Sequence, residues 1–179
     1  MGHIIYTIGH STRSIEEFIS ILQKYEIRQL VDIRTIPKSR RNPQYGEGNL
    51  GQTLSEAGIE YIQMKDLGGL RPAVKSSENK GWKNKSFRNY ADYMQTSDFQ
   101  NAVEDLYQLS SDSRTVMMCA EAVPWRCHRR LVGDALLIRG VEVIDIFDEK
   151  NIKPHVLTSF AMVMGKKITY PESGTKEGE

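Results

Sequence analysis

Short apolar runs alternate along this chain with segments whose apolar residues recur at three- and four-residue intervals, and the two patterns separate buried strands from amphipathic helices. Residues 3–8 are rich in β-branched side chains and stop at Gly9, which predicts a strand. Ser14 followed by Glu16 and Glu17 marks a helix start, and Ile15, Phe18, Ile19 and Leu22 carry the helical period to Tyr25. A second strand is predicted at 30–33, a short helix at 50–57 closed by Gly58, and a third strand at 59–64. Residues 65–86 lack a clear period and carry six Lys or Arg, so they read as a long, basic, functional loop. Tyr90, Tyr93, Met94, Phe99, Val103, Leu106 and Tyr107 fit one or two helices over 87–109, with Ser97-Asp98 as an internal cap. A fourth strand is predicted at 115–119. Pro124 then opens a helix carrying 126–139, Gly140 ends it, and 141–147 is a fifth strand. A further short helix is expected at 156–164 and a disordered tail at 171–179.

Strands that alternate with helices need crossover connections, so the order predicts one α/β domain over 1–170 with a mainly parallel, roughly five-stranded sheet flanked by helices. In such sheets ligands bind beyond the C-terminal ends of the strands.

With 24 Lys plus Arg against 23 Asp plus Glu, the net charge of +1 excludes binding of polyanions through bulk charge alone, so any anion site must be local. No apolar run approaches the roughly 20 residues that cross a bilayer, and the N-terminus lacks a basic start and a long apolar stretch, so the expectation is a cytoplasmic protein without a membrane partner. Two cysteines are too few for a disulfide scaffold, which makes their positions informative.

Reactive side chains collect at the predicted strand ends. His10 and Ser11 follow the first strand, and Asp32, Arg34, Ser39 and Arg40 lie within or after the second. Gly68 and Gly69 follow the third, and Cys119, Glu121, Arg126, Cys127, His128 and Arg129 follow the fourth. A cysteine at a strand end, before a helix N-terminus, stands where backbone N–H groups and the helix dipole favour a thiolate. Cys127, placed in the first turns of that helix beside Arg126 and His128, is expected to be the acidified thiol, and Cys119 the more buried and slower one. Two buried thiols acting as small hydrophobes remain an alternative. So does a metal held by Cys119, Glu121, Cys127, His128 and His10, although the Cys-x7-Cys-His spacing is not that of a usual zinc pair. Asp32 and Arg34 share a strand face and read equally as an ion pair. Ser39-Arg40-Arg41, bracketed by Pro37 and Pro43, suits a phosphate that accepts a bidentate fork, and Gly68-Gly69 would let a backbone approach a ligand.

The pieces Tyr6-Thr7-Ile8-Gly9-His10-Ser11, Leu30-Val31-Asp32-Ile33-Arg34 with Pro37, Ser39 and Arg40, Leu67-Gly68-Gly69, and Cys119-Ala120-Glu121 through Pro124 to Cys127-His128-Arg129 together resemble the domain of unknown function 488 family. Pro43-Gln44-Tyr45 supplies the aromatic expected after the Ser-Arg motif. The resemblance implies an α/β fold and an enzyme with these motifs around one site. It brings no reaction with it.

Three functions compete. The first is an enzyme acting on a phosphate-bearing substrate, a nucleotide or nucleic-acid component, with Cys119, Glu121, Cys127, His10 and Asp32 catalytic. Ser11, Arg34, Ser39, Arg40, Gly68, Gly69, Arg126, His128 and Arg129 would bind the substrate. The second is a nucleic-acid binding module that uses the basic residues from Arg40 to Lys85, with Tyr45 and Trp82 for stacking. The third is a metal-dependent hydrolase. No metal ligand set, cofactor or oligomeric state is assigned from the residues.

Overall fold

A computed structural model describes residues 3–172 of the chain. Strands β1 (Ile4–Gly9), β2 (Gln29–Asp32), β3 (Glu60–Gln63), β4 (Thr115–Cys119) and β5 (Glu142–Ile146) pair in parallel in the order β3-β2-β4-β1-β5. A sixth strand, β6 (Ile152–Pro154), runs antiparallel on the β5 edge. The fold is α/β, with a mainly parallel sheet between two helical layers.

The helices form where the sequence provides a start and an apolar face. In α1 (Ile15–Lys24), the Ser14 side chain accepts from Glu17 N at 3.1 Å, and Phe18, Ile21 and Leu22 are buried. Helix α2 (Glu47–Glu56) buries Leu50 and Leu54. Helices α3 (Lys85–Tyr93) and α4 (Ser97–Asp112) are separate, and Thr96, one residue before the expected cap, accepts from Phe99 N at 3.2 Å. Helices α1 and α2 cover the sheet face made by Tyr6, Ile8, Leu30, Val116 and Met118. Helices α3, α4 and α5 (Arg129–Leu137) cover the face made by Ile5, Val31, Met117, Cys119 and Val143. Each fully buried Leu, Ile or Phe contributes about 1.5 to 3 kcal/mol to holding these layers. The two-residue strand period thus sends Cys119 toward α5, while Met118 points the other way.

Three expectations are corrected. The helix opened by Pro124 is instead a single 3-10 turn, Pro124–Arg126, and α5 starts only at Arg129 with His128 as its cap. The expected helix at 156–164 is absent, and β7 (Met162–Met164) pairs there with β8 (Lys167–Thr169). Met162, Val163 and Met164 are exposed, so their spacing did not reflect burial, and Gly165 at φ 64° makes the hairpin turn. The edge strand β6 was not foreseen; it is turned by Asp148, whose side chain accepts from Lys150 N at 2.7 Å and Asn151 N at 2.8 Å. The tail expected at 171–179 lies, beyond Glu172, outside the described residues. Among the described residues no helix is long and apolar enough to cross a membrane.

Candidate functional site

The connection after β1 crosses to β2 and the connection after β4 crosses to β5, so a crevice opens at the C-terminal ends of β1, β2 and β4. Backbone bonds continue past the strands and set its floor: His10 N donates to Cys119 O and Ser11 N to Ala120 O, both at 2.9 Å, and Ile33 N to Met118 O at 3.0 Å. The cleft is about 680 Å³, and His10, Ser11, Arg34, Ser39, Arg40, Gly69, Cys119, Glu121, Arg126, Cys127 and His128 line it. Asp32, Gly68 and Arg129 lie behind that lining.

Cys119 ends β4 with its sulfur against the Arg129 guanidinium. Arg129 is 1% exposed, and its Nη1 donates to Cys119 Sγ and to Glu121 O, both at 2.8 Å. Its Nε donates to Thr7 Oγ1 at 3.1 Å, and Thr7 in turn donates to buried Asp145 at 2.5 Å. A buried cation with a fixed fork is therefore aimed at the thiol. Burial raises the Cys119 pKa, but the hydrogen bond from Cys127 and the Arg129 charge outweigh it and bring the thiol down to about 7.

Cys127 follows the 3-10 turn, outside α5, and its Sγ accepts from the first helical N–H, that of Arg129, at 3.4 Å. The helix N-terminus thus faces a sulfur. Burial and the neighbouring Cys119 sulfur push the Cys127 thiol well above its ordinary value. The expected order of the two thiols is therefore reversed: the acidified one is Cys119, because the arginine side chain reaches its sulfur. His128 Nε2–H donates to Ile33 O at 2.9 Å, and its Nδ1 lies 3.5 Å from Cys127 Sγ. Burial lowers the His128 pKa to about 4, so the ring is neutral.

The second wall is an ion pair. Asp32 accepts from Arg34 Nε at 2.9 Å and Nη2 at 2.7 Å, from Arg34 N at 3.1 Å and from Tyr61 Oη at 2.6 Å. A carboxylate satisfied in this way, fully buried, orients Arg34 and does not itself face the cleft. Arg34 Nη1 lies 3.4 Å from His10 Nε2, and His10 Nδ1 donates to Ser11 O at 2.8 Å. Ser11 adopts φ 52°, a left-handed conformation uncommon outside glycine, which turns that carbonyl back to the ring. His10 stacks on buried Tyr45 with centroids 4.1 Å apart, and burial lowers its pKa to about 4. It is a neutral ring with its lone pair occupied by Arg34.

The rim is cationic. Lys38, Arg40, Arg41 and Arg126 line it and are exposed, against the single carboxylate of Glu121. Ser39 Oγ accepts from Asn42 N at 2.9 Å and shapes the loop. What Glu121 contributes to the floor is its backbone carbonyl. The two glycines serve packing: a Cβ at Gly68 would overlap the Thr35 side chain, and one at Gly69 would stand 2.8 Å from His128 Nδ1. Tyr45 and Trp82, expected as stacking platforms, are in the core. Arg71 is bound to Gly68 O at 3.1 Å and Lys65 O at 2.9 Å. Among the described residues no three His, Cys, Asp or Glu side chains are grouped to hold a metal ion.

Several contributors escaped the sequence reading. Thr7 and Asp145, which hold Arg129 from behind, are polar residues inside apolar strands, and that mismatch was a usable signal. His155 lies beyond Asp145, with Nε2 2.8 Å from Asp134 Oδ1 and Nδ1 3.8 Å from Asp145 Oδ2. Burial opposes its charge, yet the two carboxylates raise its pKa to about 9. Ile36, Leu70 and Phe87 give the cleft an apolar lip that no motif announced.

A family model described as "Domain of unknown function DUF488" matches residues 14–136. No curated protein and no solved structure matches the chain.

Proposed function

The chain belongs to the DUF488 family, and from that premise we propose that it is an enzyme in which the Cys119 thiolate attacks a phosphate-bearing, nucleotide-like substrate. The carrying observation is the Arg129 Nη1 to Cys119 Sγ contact of 2.8 Å in the floor of a cleft whose rim bears Lys38, Arg40, Arg41 and Arg126. The rim cations bind the phosphate, with Arg40 and Arg126 supplying planar forks. Phosphate contacts position the substrate so that its electrophilic atom meets the sulfur. In the step itself a sulfur lone pair forms the new bond, and the bond to the leaving group breaks with its electrons departing on that group. Cys127, kept protonated beside Cys119, is the nearest proton source. Arg34 forms the wall opposite, fixed by Asp32, and His10 buttresses it; in this reading Asp32, His10 and Arg129 are positioning residues.

Incubating the protein with a set of 5′-nucleotides, quenching in acid and measuring intact mass tests this. An adduct on Cys119 that is missing in Cys119→Ser supports it. Phosphate binding with neither adduct nor turnover would instead favour a nucleic-acid binding module without catalysis.

A further inference from the structure

Cys119 and Cys127 are both free and buried, and both line the cleft. One residue serves both: the Arg129 side chain donates to Cys119 Sγ at 2.8 Å, and its backbone N–H donates to Cys127 Sγ at 3.4 Å. The connection between them is short and folded, with Cys127 N donating to Pro124 O at 3.0 Å to close the 3-10 turn. Only a small loop separates the sulfurs, so joining them costs little additional chain entropy. Attack on a substrate uses Cys119 as nucleophile and needs from Cys127 only a proton, which does not require a second sulfur held by the same arginine.

We propose that Cys119 and Cys127 are a redox-active dithiol that reduces a hydroperoxide and becomes an intramolecular disulfide. The Cys119 thiolate attacks the outer oxygen of ROOH, the O–O bond breaks with its electron pair on the departing RO⁻, and RO⁻ takes a proton from water. Cys119 is now a sulfenic acid, oxidised by two electrons, and ROOH has been reduced to ROH. The Cys127 sulfur then attacks the Cys119 sulfur; the S–O bond breaks, and hydroxide leaves with the Cys127 proton as water. Two thiols and ROOH thus give a disulfide, ROH and water. A dithiol reductant reverses the oxidation by exchange. The guanidinium that stabilises the attacking thiolate also stabilises Cys119 as the leaving thiolate during that reduction. Neutral Cys127, held by the backbone N–H of the same Arg129, is the resolving thiol. The activity does not depend on the cleft's other substrate being a phosphate ester, although forming the disulfide would remove the nucleophile assigned above.

The test is made on the reduced full-length chain. Hydrogen peroxide is added at equimolar concentration, remaining thiols are alkylated, and peptides are read by mass spectrometry. Wild type should lose both alkylatable thiols together, form no disulfide between chains, yield a Cys119–Cys127 linked peptide and recover both thiols with dithiothreitol. Cys127→Ser should instead accumulate a Cys119 sulfenic acid that dimedone traps. Cys119→Ser should consume peroxide at least about tenfold more slowly at pH 7, because the thiol that remains, Cys127, is kept protonated by its burial. Independent loss of the thiols, disulfides formed only between chains, or a Cys119→Ser variant that consumes peroxide as fast as wild type would overturn the proposal. None of these readouts uses phosphate binding, so failure here is separate from failure of the phosphate reading.

Discussion

Replacing Arg129 by Lys keeps a positive charge but shortens the reach and removes the fork. Cys119 titrates at about 7, against an ordinary 9.0. At about 1.4 kcal/mol per pK unit, its thiolate is favoured by roughly 3 kcal/mol after burial has been overcome. The Cys127 hydrogen bond and the Arg129 charge and hydrogen bond supply that preference. Losing the Nη1 contact should raise the apparent pKa to about 8 or above, so the thiolate fraction at pH 7 falls from about a half to about a tenth or less. Because the folded pKa is depressed, Cys119 alkylation should rise with pH through about 7 and level off above it in wild type. In Arg129→Lys the same curve should move up by at least about one pH unit. The assay is iodoacetamide alkylation read separately at Cys119 and Cys127 by mass spectrometry, with circular dichroism confirming that the variant is folded. Cys127→Ser, which keeps a hydroxyl donor, should leave the curve nearly in place. A folded Arg129→Lys protein whose Cys119 still titrates near 7 would refute the argument that the guanidinium acidifies this thiol.

Arg40→Lys retains charge and loses the planar fork, so inorganic phosphate binding measured by calorimetry should weaken by about 1 to 3 kcal/mol; unchanged binding would leave Arg40 as surface charge. Gly9→Ala would drive a Cβ into the Glu121 carbonyl and to 2.9 Å from Arg129 Nη1, costing about 1 to 3 kcal/mol in urea unfolding, and an unaltered midpoint would contradict the close approach. His155, raised from 6.5 to about 9, should stabilise the fold by roughly 3 kcal/mol below pH 6.5, an advantage lost as pH rises through 9. Cys119 contributes with opposite sign between pH 7 and 9, so the readout is wild type minus His155→Gln. That difference should shrink across pH 6.5 to 9, and a constant difference would count against a charged His155.

The strands were legible because β1, β2 and β4 are buried on both faces and read as continuous apolar runs. The placement of reactive residues at their C-terminal ends followed from topology: Cys119 and His10 are neighbours because Gly9 pairs with Cys119 in the β1–β4 register. What sequence could not set was which thiol the arginine meets. Pro124 suits a helix start, which would put Cys127 inside α5; the chain instead makes one 3-10 turn and starts the helix at Arg129. That shift leaves Cys127 ahead of the helix, with its sulfur on the Arg129 N–H, and lets the Arg129 side chain reach back to Cys119. The β7–β8 hairpin is hidden for a related reason, since apolar spacing over 156–164 resembles a helix although Val156, Met162, Val163 and Met164 face solvent. The Asp32–Arg34 ion pair was legible from their shared strand face, whereas the stacking of His10 on Tyr45 joins segments far apart in sequence and needed the fold.

The central claim is that an acidified Cys119 and the cationic rim belong to one site, and protection of the thiol by phosphate tests it most directly. The rate of Cys119 alkylation at pH 7 is measured in reduced protein against increasing inorganic phosphate, with sodium chloride holding ionic strength constant. The account predicts a saturable fall in the Cys119 rate, with a midpoint that moves to higher phosphate in Arg40→Lys. A Cys119 rate that does not change with phosphate, at concentrations where calorimetry shows phosphate bound, would contradict it.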